Sequence, residues 1–258
     1  MVERARWLAG RHSLAAAHRR SLAAADRRER PDRPLLASAA RPWALGLLAC
    51  CAVVVAVLGA LFAHQTTADG FDRAVDTPII SWFAGHQDLA LRLTKPGSLV
   101  PAAVLTAAIV IACVVTRRFN GAVLALAAVP VAEVISESLL KPLIHRTYLG
   151  SVAYPSGHTT AIAALAATLF VLLAVPPRPI RTGVLRWLRL LVLAAACLLC
   201  VGVGIGLIGL KWHYFTDVVA GAAVGIGTVC VLSLILDLPT VRRVFARMSR
   251  RLRPPEGG

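Results

Sequence analysis

Six predominantly apolar runs separated by polar segments set the pattern of the chain: Ala44–Ala63, Leu99–Val115, Gly121–Leu140, Thr159–Val175, Leu188–Leu210 and Asp217–Leu236. Each is close to the roughly twenty residues that a helix needs to cross hydrocarbon, so the pattern predicts an all-α polytopic membrane protein, a six-transmembrane-helix bundle. Between the first two runs, residues 64–98 are mixed, and Ile79–Phe83 is expected to form a short interfacial helix. A cleaved signal peptide is the alternative for the first run, but the basic region before it is long and the run is nearer a full span.

Composition agrees with this reading and charge refines it. The 258 residues are 57% hydrophobic, with a formal net charge of +15. Such a charge suggests nucleic-acid binding until its distribution is followed. The bases lie at the ends and in short loops, where the positive-inside rule places them, so no nucleic-acid partner is expected. Residues 1–40 read as a basic cytoplasmic tail, either a helix on anionic lipid or a solvated segment. Residues 41–238 form the transmembrane domain, and 239–258 a second basic tail. Arg117 and Arg118, then Arg178, Arg181, Arg186 and Arg189, mark inner loops, while Asp69, Asp72, Asp76 and Asp88 mark an outer segment in which Arg92 reads as an ordinary surface base. Both termini are therefore expected in the cytoplasm of a multi-pass cell-membrane protein. All six cysteines sit in apolar runs and read as small core residues without disulfides.

This orientation brings four polar clusters to one outer face. Lys141 ends an outward helix, His158 begins an inward one, Lys211 and His213 follow an outward one, and Asp217 begins the last. Ser156, before a long apolar run, is a natural N-cap, so the backbone N–H groups near Gly157 and His158 would face an anion. His213 and Asp217 are four apart, one helical turn on a shared face, where a carboxylate holds an imidazole in one tautomer. Taken alone, that pair also reads as a plain boundary His–Asp pair. Metal binding by His158, His213 and Asp217 lacks a dense ligand pattern. Gly204-Ile-Gly206-Leu-Ile-Gly209 matches a dinucleotide expression but lies within a span without a preceding strand; small residues there, and in Gly221-Ala-Ala-Val-Gly225, suit close helix packing. Glu133, Glu137 and Lys141 share one face of the third run, where Glu137 is expected to pair with Lys141 or another cation and Glu133 to lie deeper; a water-filled cleft solvating both acids is the alternative.

Lys141, Pro155-Ser156-Gly157-His158 and His213-x-x-x-Asp217, in this order and on one face, resemble the type 2 phosphatidic acid phosphatase (PAP2) family. The resemblance covers about Leu99–Leu236. It implies a PAP2-like catalytic core that needs no metal or cofactor, in which His213 attacks phosphorus to form a phosphohistidine and Asp217 orients it. His158 would protonate the leaving oxygen and then activate water, while Lys141, Ser156 and the Gly157 backbone bind phosphoryl oxygens. The substrate implied is a lipid phosphate or a polyprenyl (di)phosphate such as undecaprenyl diphosphate, reached from the bilayer; phosphotransfer to another acceptor is the alternative.

The sequence departs from the family pattern at both arginines: Tyr148 and Leu149 stand where the first motif has Arg-Pro, and Gly206 and Leu207 where the third has Ser-Arg. Two nearby cations are expected to replace them. Arg146 is two residues early in a loop, and Lys211 is four residues after Leu207, on its face if the helix continues. The other reading of the chain is an inactive relative that binds lipid phosphate or serves as a scaffold. A transporter is a third reading, suggested by the polar residues of the third run.

Overall fold

The computed structural model describes residues 34–174 and 183–243. Most of both expected basic tails, with Arg178 and Arg181 of the expected inner loop, lies outside the described residues. The helices are, in chain order, α1 Arg41–Phe62, α2 Gly70–Phe83, α3 Gln87–Thr94, α4 Leu99–Val115, α5 Phe119–Glu133, α6 Gly157–Ala174, α7 Gly183–Gly209 and α8 Phe215–Leu236. A π-helical turn, Val134–Leu140, and a last turn, Lys141–Ile144, prolong α5. Two short strands, β1 Thr147–Tyr148 and β2 Ser151–Val152, pair antiparallel.

Each of the six expected runs coincides with a helix, so the fold is an all-α polytopic membrane fold. By length and composition α1, the extended α5, α7 and α8 are each sufficient to span, and α3 with α4 makes a fifth span bent by 45° at Ser98. The helix at Gly157–Leu173 is apolar but shorter. The segment before α4 holds more structure than its pattern suggested. Instead of a short helix at Ile79–Phe83, α2 runs fourteen residues from Gly70, capped by the Asp69 carboxylate accepting the Asp72 amide at 2.7 Å. The acids that obscure its apolar face in the sequence are the ones that cap and tether it.

The central helix is α8, with 56% of its most apolar window buried against 17% for α1. It packs most extensively on α6 and α1. Gly221 makes the α6 contact possible, since a Cβ there would fall on the Ser156 carbonyl oxygen. Gly225 lies one turn on, where a Cβ would stand 2.5 Å from the Thr160 carbonyl oxygen. Small residues let two backbones approach where lipid supplies no hydrophobic drive between helices. At the other end of α8, the buried Asp237 carboxylate accepts the amides of Leu35 and Leu36 at 2.7 and 2.8 Å. Leu35 packs in the same core cluster as Leu236. Residues just before α1 are thereby fastened to the bundle.

Candidate active site

The close approach of α6 and α8 brings their N-terminal ends together. The Ser156 amide donates to the Asp217 carbonyl at 3.1 Å, and the Ser156 hydroxyl accepts from the Thr159 amide at 3.4 Å and the Thr159 hydroxyl at 3.1 Å. Ser156 is the expected N-cap of α6 and is fully buried. Its hydroxyl is given to the helix and does not line the neighbouring cavity.

That cavity, of about 1080 Å³, contains Lys141, Gly157, His158, Lys211 and His213 among its lining residues. Five of the eight expected site residues, drawn from three separate stretches of sequence, thus meet in one chamber. Glu133 and Glu137 also face it. Lys141 Nζ donates to Glu137 Oε2 at 2.7 Å, as the spacing suggested. The other Glu137 oxygen would lie 2.6 Å from a Cβ at Gly157, so both acids stand close to the start of α6. Glu133 Oε1 is buried without a hydrogen-bond partner. The π-helical turn between Glu133 and Lys141 is of a kind often found at functional sites. From the polar chamber the cavity continues between α4 and α5 along Ala103, Val110, Leu126 and Val129.

Lys211 reaches the chamber by a route the sequence did not suggest. Helix α7 does not continue to it. The Trp212 amide bonds to the Leu207 carbonyl and the Lys211 amide to the Ile208 carbonyl, a Schellman ending with Lys211 at φ 59°. A non-glycine residue in this left-handed conformation costs roughly 1–2 kcal/mol, a strain of the kind held at functional sites. The turn sends the chain back so that Lys211, Trp212 and His213 all face the cavity.

His213 is 11% exposed, and its Nδ1 stands 3.9 Å from Asp217 Oδ2, beyond hydrogen-bond reach. Burial, then the Lys141 ammonium, pushes its pKa down to about 3, opposed in part by the Ala153 backbone. The imidazole is therefore neutral at neutral pH, as a nucleophile must be. Among the described residues, no cluster of three or more His, Cys, Asp and Glu is arranged to hold a metal ion.

Two expected site residues lie behind the chamber. Asp217 Oδ2 accepts the Tyr214 amide at 3.0 Å and Oδ1 accepts from Arg146 at 2.7 Å. Arg146, expected to stand in for a phosphate-binding arginine, is completely buried, with both terminal guanidinium nitrogens bonded and Nε left without a hydrogen-bond partner. Besides Asp217 it binds the Asp72 carboxylate and the Thr216 hydroxyl, and its guanidinium lies over the rings of Phe62 at 4.2 Å and Tyr214 at 4.3 Å. It is a clamp between α2 and α8, and it does not line the cavity. The acids on α2 were missed from sequence. Asp72 accepts the Thr216 amide at 3.0 Å and Asp76 the Phe215 amide at 3.1 Å, so both cap α8 from outside. Burial and the Asp72 carboxylate push the Asp76 pKa up to about 7. The signal available was their four-residue spacing, which places two carboxylates on one helical face.

Residues 136–239 match the PAP2 superfamily. Among solved structures, the chain is similar to the transmembrane PAP2-type phosphatidylglycerolphosphate phosphatase of Bacillus subtilis, with a TM-score of 0.57 and 20% identity over 80% of this chain and 98% of that one. A likeness at this identity bears on the fold. No curated protein sequence matches the chain.

Proposed function

We propose, from the match of residues 136–239 to the PAP2 superfamily, that the chain is an integral membrane phosphatase acting on a lipid phosphate or prenyl diphosphate. The observation that carries this reading is the convergence of His158, His213, Lys141 and Lys211 on one cavity that also has an apolar arm. The polar end suits a phosphoryl group and the arm between α4 and α5 suits its lipid tail.

Neutral His213, with Nδ1 turned toward Asp217, attacks phosphorus through Nε2. The N–P bond forms as the bond to the leaving oxygen breaks, and His158 donates a proton to that oxygen. His158 then takes a proton from water, which attacks phosphorus and releases phosphate from His213. Lys141 and Lys211 stabilise charge on the transferring oxygens, together with the backbone at the start of α6. Asp217 acts through position: it caps α8 immediately after His213 and fixes where the ring stands. With lysines and no arginine at the phosphate, the grip is through point charges, weaker than a bidentate fork.

Phosphate release from a panel of lipid phosphates and prenyl diphosphates, measured in chelator on purified protein, tests the activity. Release that persists in chelator is expected; its absence across the panel would transfer the case to the second reading. That reading, an inactive relative that binds lipid phosphate, is favoured by the withdrawal of Arg146 from the cavity and by the acids that face it.

The outer-face location rests on the arginine distribution. A Ser151→Cys variant, changed at the exposed cavity mouth, is expected to react with an impermeant thiol reagent in intact cells. Protection until the membrane is opened would reverse the orientation and the leaflet from which substrate is drawn.

A further inference from the structure

Beside the main chamber lies a second hollow of about 480 Å³, and both are walled by Ser98, His158 and Trp212. Its own lining includes Arg92, Lys95 and Asp88. The short helical turn Lys95–Gly97 is pressed against His158: a Cβ at Gly97 would fall 2.7 Å from the His158 carbonyl oxygen. The His158 and Trp212 rings are tilted by 58° with centroids 6.2 Å apart, and both residues line both spaces. Arg92 and Lys95 are exposed, and neither side chain has an ion-pair partner among the described residues. All three lysines of this arginine-rich chain therefore surround His158, two from the main chamber and Lys95 from the hollow.

The geometry points to a second anion subsite, formed by Arg92 and Lys95, that receives a phosphate in the leaving group of the substrate. This rests on the phosphatase reading of the main chamber. In that reading His158 protonates the leaving oxygen, so whatever departs passes on the His158 side, where the hollow opens. A leaving group with a second negative charge gains two unpaired cations there, and a lipid monophosphate leaves them without a partner. Asp88 at the same wall limits how much anion the hollow accepts, which suits a single phosphate better than a polyanion. Arg92 and Lys95 lie on a segment upstream of the matched region. The substrate class is a lipid with two phosphates at its head, joined either directly as a diphosphate or through a phosphodiester-linked glycerol carrying the terminal phosphate.

The test compares wild type, the Arg92→Ala/Lys95→Ala double variant and Arg73→Ala, which removes a base of α2 that lines neither space. Two ratios of kcat/KM are measured: prenyl diphosphate over prenyl monophosphate, and the glycerol-linked two-phosphate lipid over phosphatidate. Two exposed cations lost together should lower the ratio about tenfold on at least one arm, and the arm that falls identifies the linkage. Arg73→Ala should leave both ratios at the wild-type values. Ratios unchanged in the double variant would overturn the subsite. Calorimetric binding of methylenediphosphonate and of inorganic phosphate gives a readout independent of turnover. The diphosphonate should bind wild type at least tenfold more tightly than phosphate does, and the gap should close in the double variant. A gap that persists there overturns the proposal. Binding that behaves as expected in a protein without turnover sinks the phosphatase reading and leaves the subsite standing.

Discussion

A His213→Ala variant is expected to lose at least about a thousandfold of the phosphate-release rate, the scale on which removal of a covalent nucleophile operates. The ring is the proposed nucleophile and lines the chamber. Buried to 11% exposure and held near Lys141, it is neutral down to a pH close to its depressed pKa of about 3. Lowering the pH from 7 to 5 should therefore not silence the enzyme through His213. The same shift has a stability consequence of definite sign. Because the folded pKa lies below the unfolded value, the unfolded chain takes up the proton first. The contribution of His213 to stability is thus complete above about pH 6.5 and is lost progressively as pH falls from there toward 3. Loss of turnover in His213→Ala should come with loss of a base-stable, acid-labile phosphoryl label on the protein. Retained turnover, or a label that survives the substitution, would move the nucleophile elsewhere. A labelled His158 in the variant would assign it there.

The order of helices was legible because hydrocarbon imposes one length and one composition on every span. The three motif fragments were legible because polar residues at span ends are few. What sequence could not supply was the direction of side chains at turns. Lys211 was expected on a continued helix, yet α7 stops at Gly209 and the left-handed conformation of Lys211 turns the chain back into the cavity. Lys211 lines the cavity, by a turn and not by a continued helix. Arg146 failed for a different reason. Its charge and proximity to the first motif suggested phosphate, but its partners, Asp72 and Asp217, lie 74 and 71 residues away, and only the fold brings them together. The same holds for Arg92, which reads as a surface base until α3 is seen beside His158. Non-local pairing of charges leaves no periodic trace, whereas packing of small residues does. Gly221 and Gly225 were recognisable from spacing, and they let α6 and α8 approach closely.

Replacing Arg146 by alanine is expected to destabilise the folded protein by about 3–5 kcal/mol, the cost of stranding buried charge by removing its partner. The guanidinium bonds to Asp72, Asp217 and Thr216 at once, with both ion-pair partners fully buried. Its loss leaves the two carboxylates near Asp76, which burial and Asp72 already push up to about pKa 7. Three acids would then surround the first turn of α8 with no cation among them. The amides of Phe215 and Thr216 offset part of this, since a helix N-terminus favours anions. Lysine should not restore stability, because an ammonium cannot span both carboxylates and the hydroxyl as the planar fork does. The damage should reach function only through geometry: Asp217 caps the helix that begins beside His213, so a loosened cap is expected to misplace the His213 ring. Thermal unfolding in detergent of wild type, Arg146→Ala and Arg146→Lys gives the first readout, and a double-mutant cycle with Asp72→Asn gives the second. Strong coupling is expected, with the cost of Arg146→Ala markedly reduced once Asp72 is neutral. If instead the variants melt like wild type and only KM rises, Arg146 contacts substrate phosphate and the clamp between α2 and α8 is not its role.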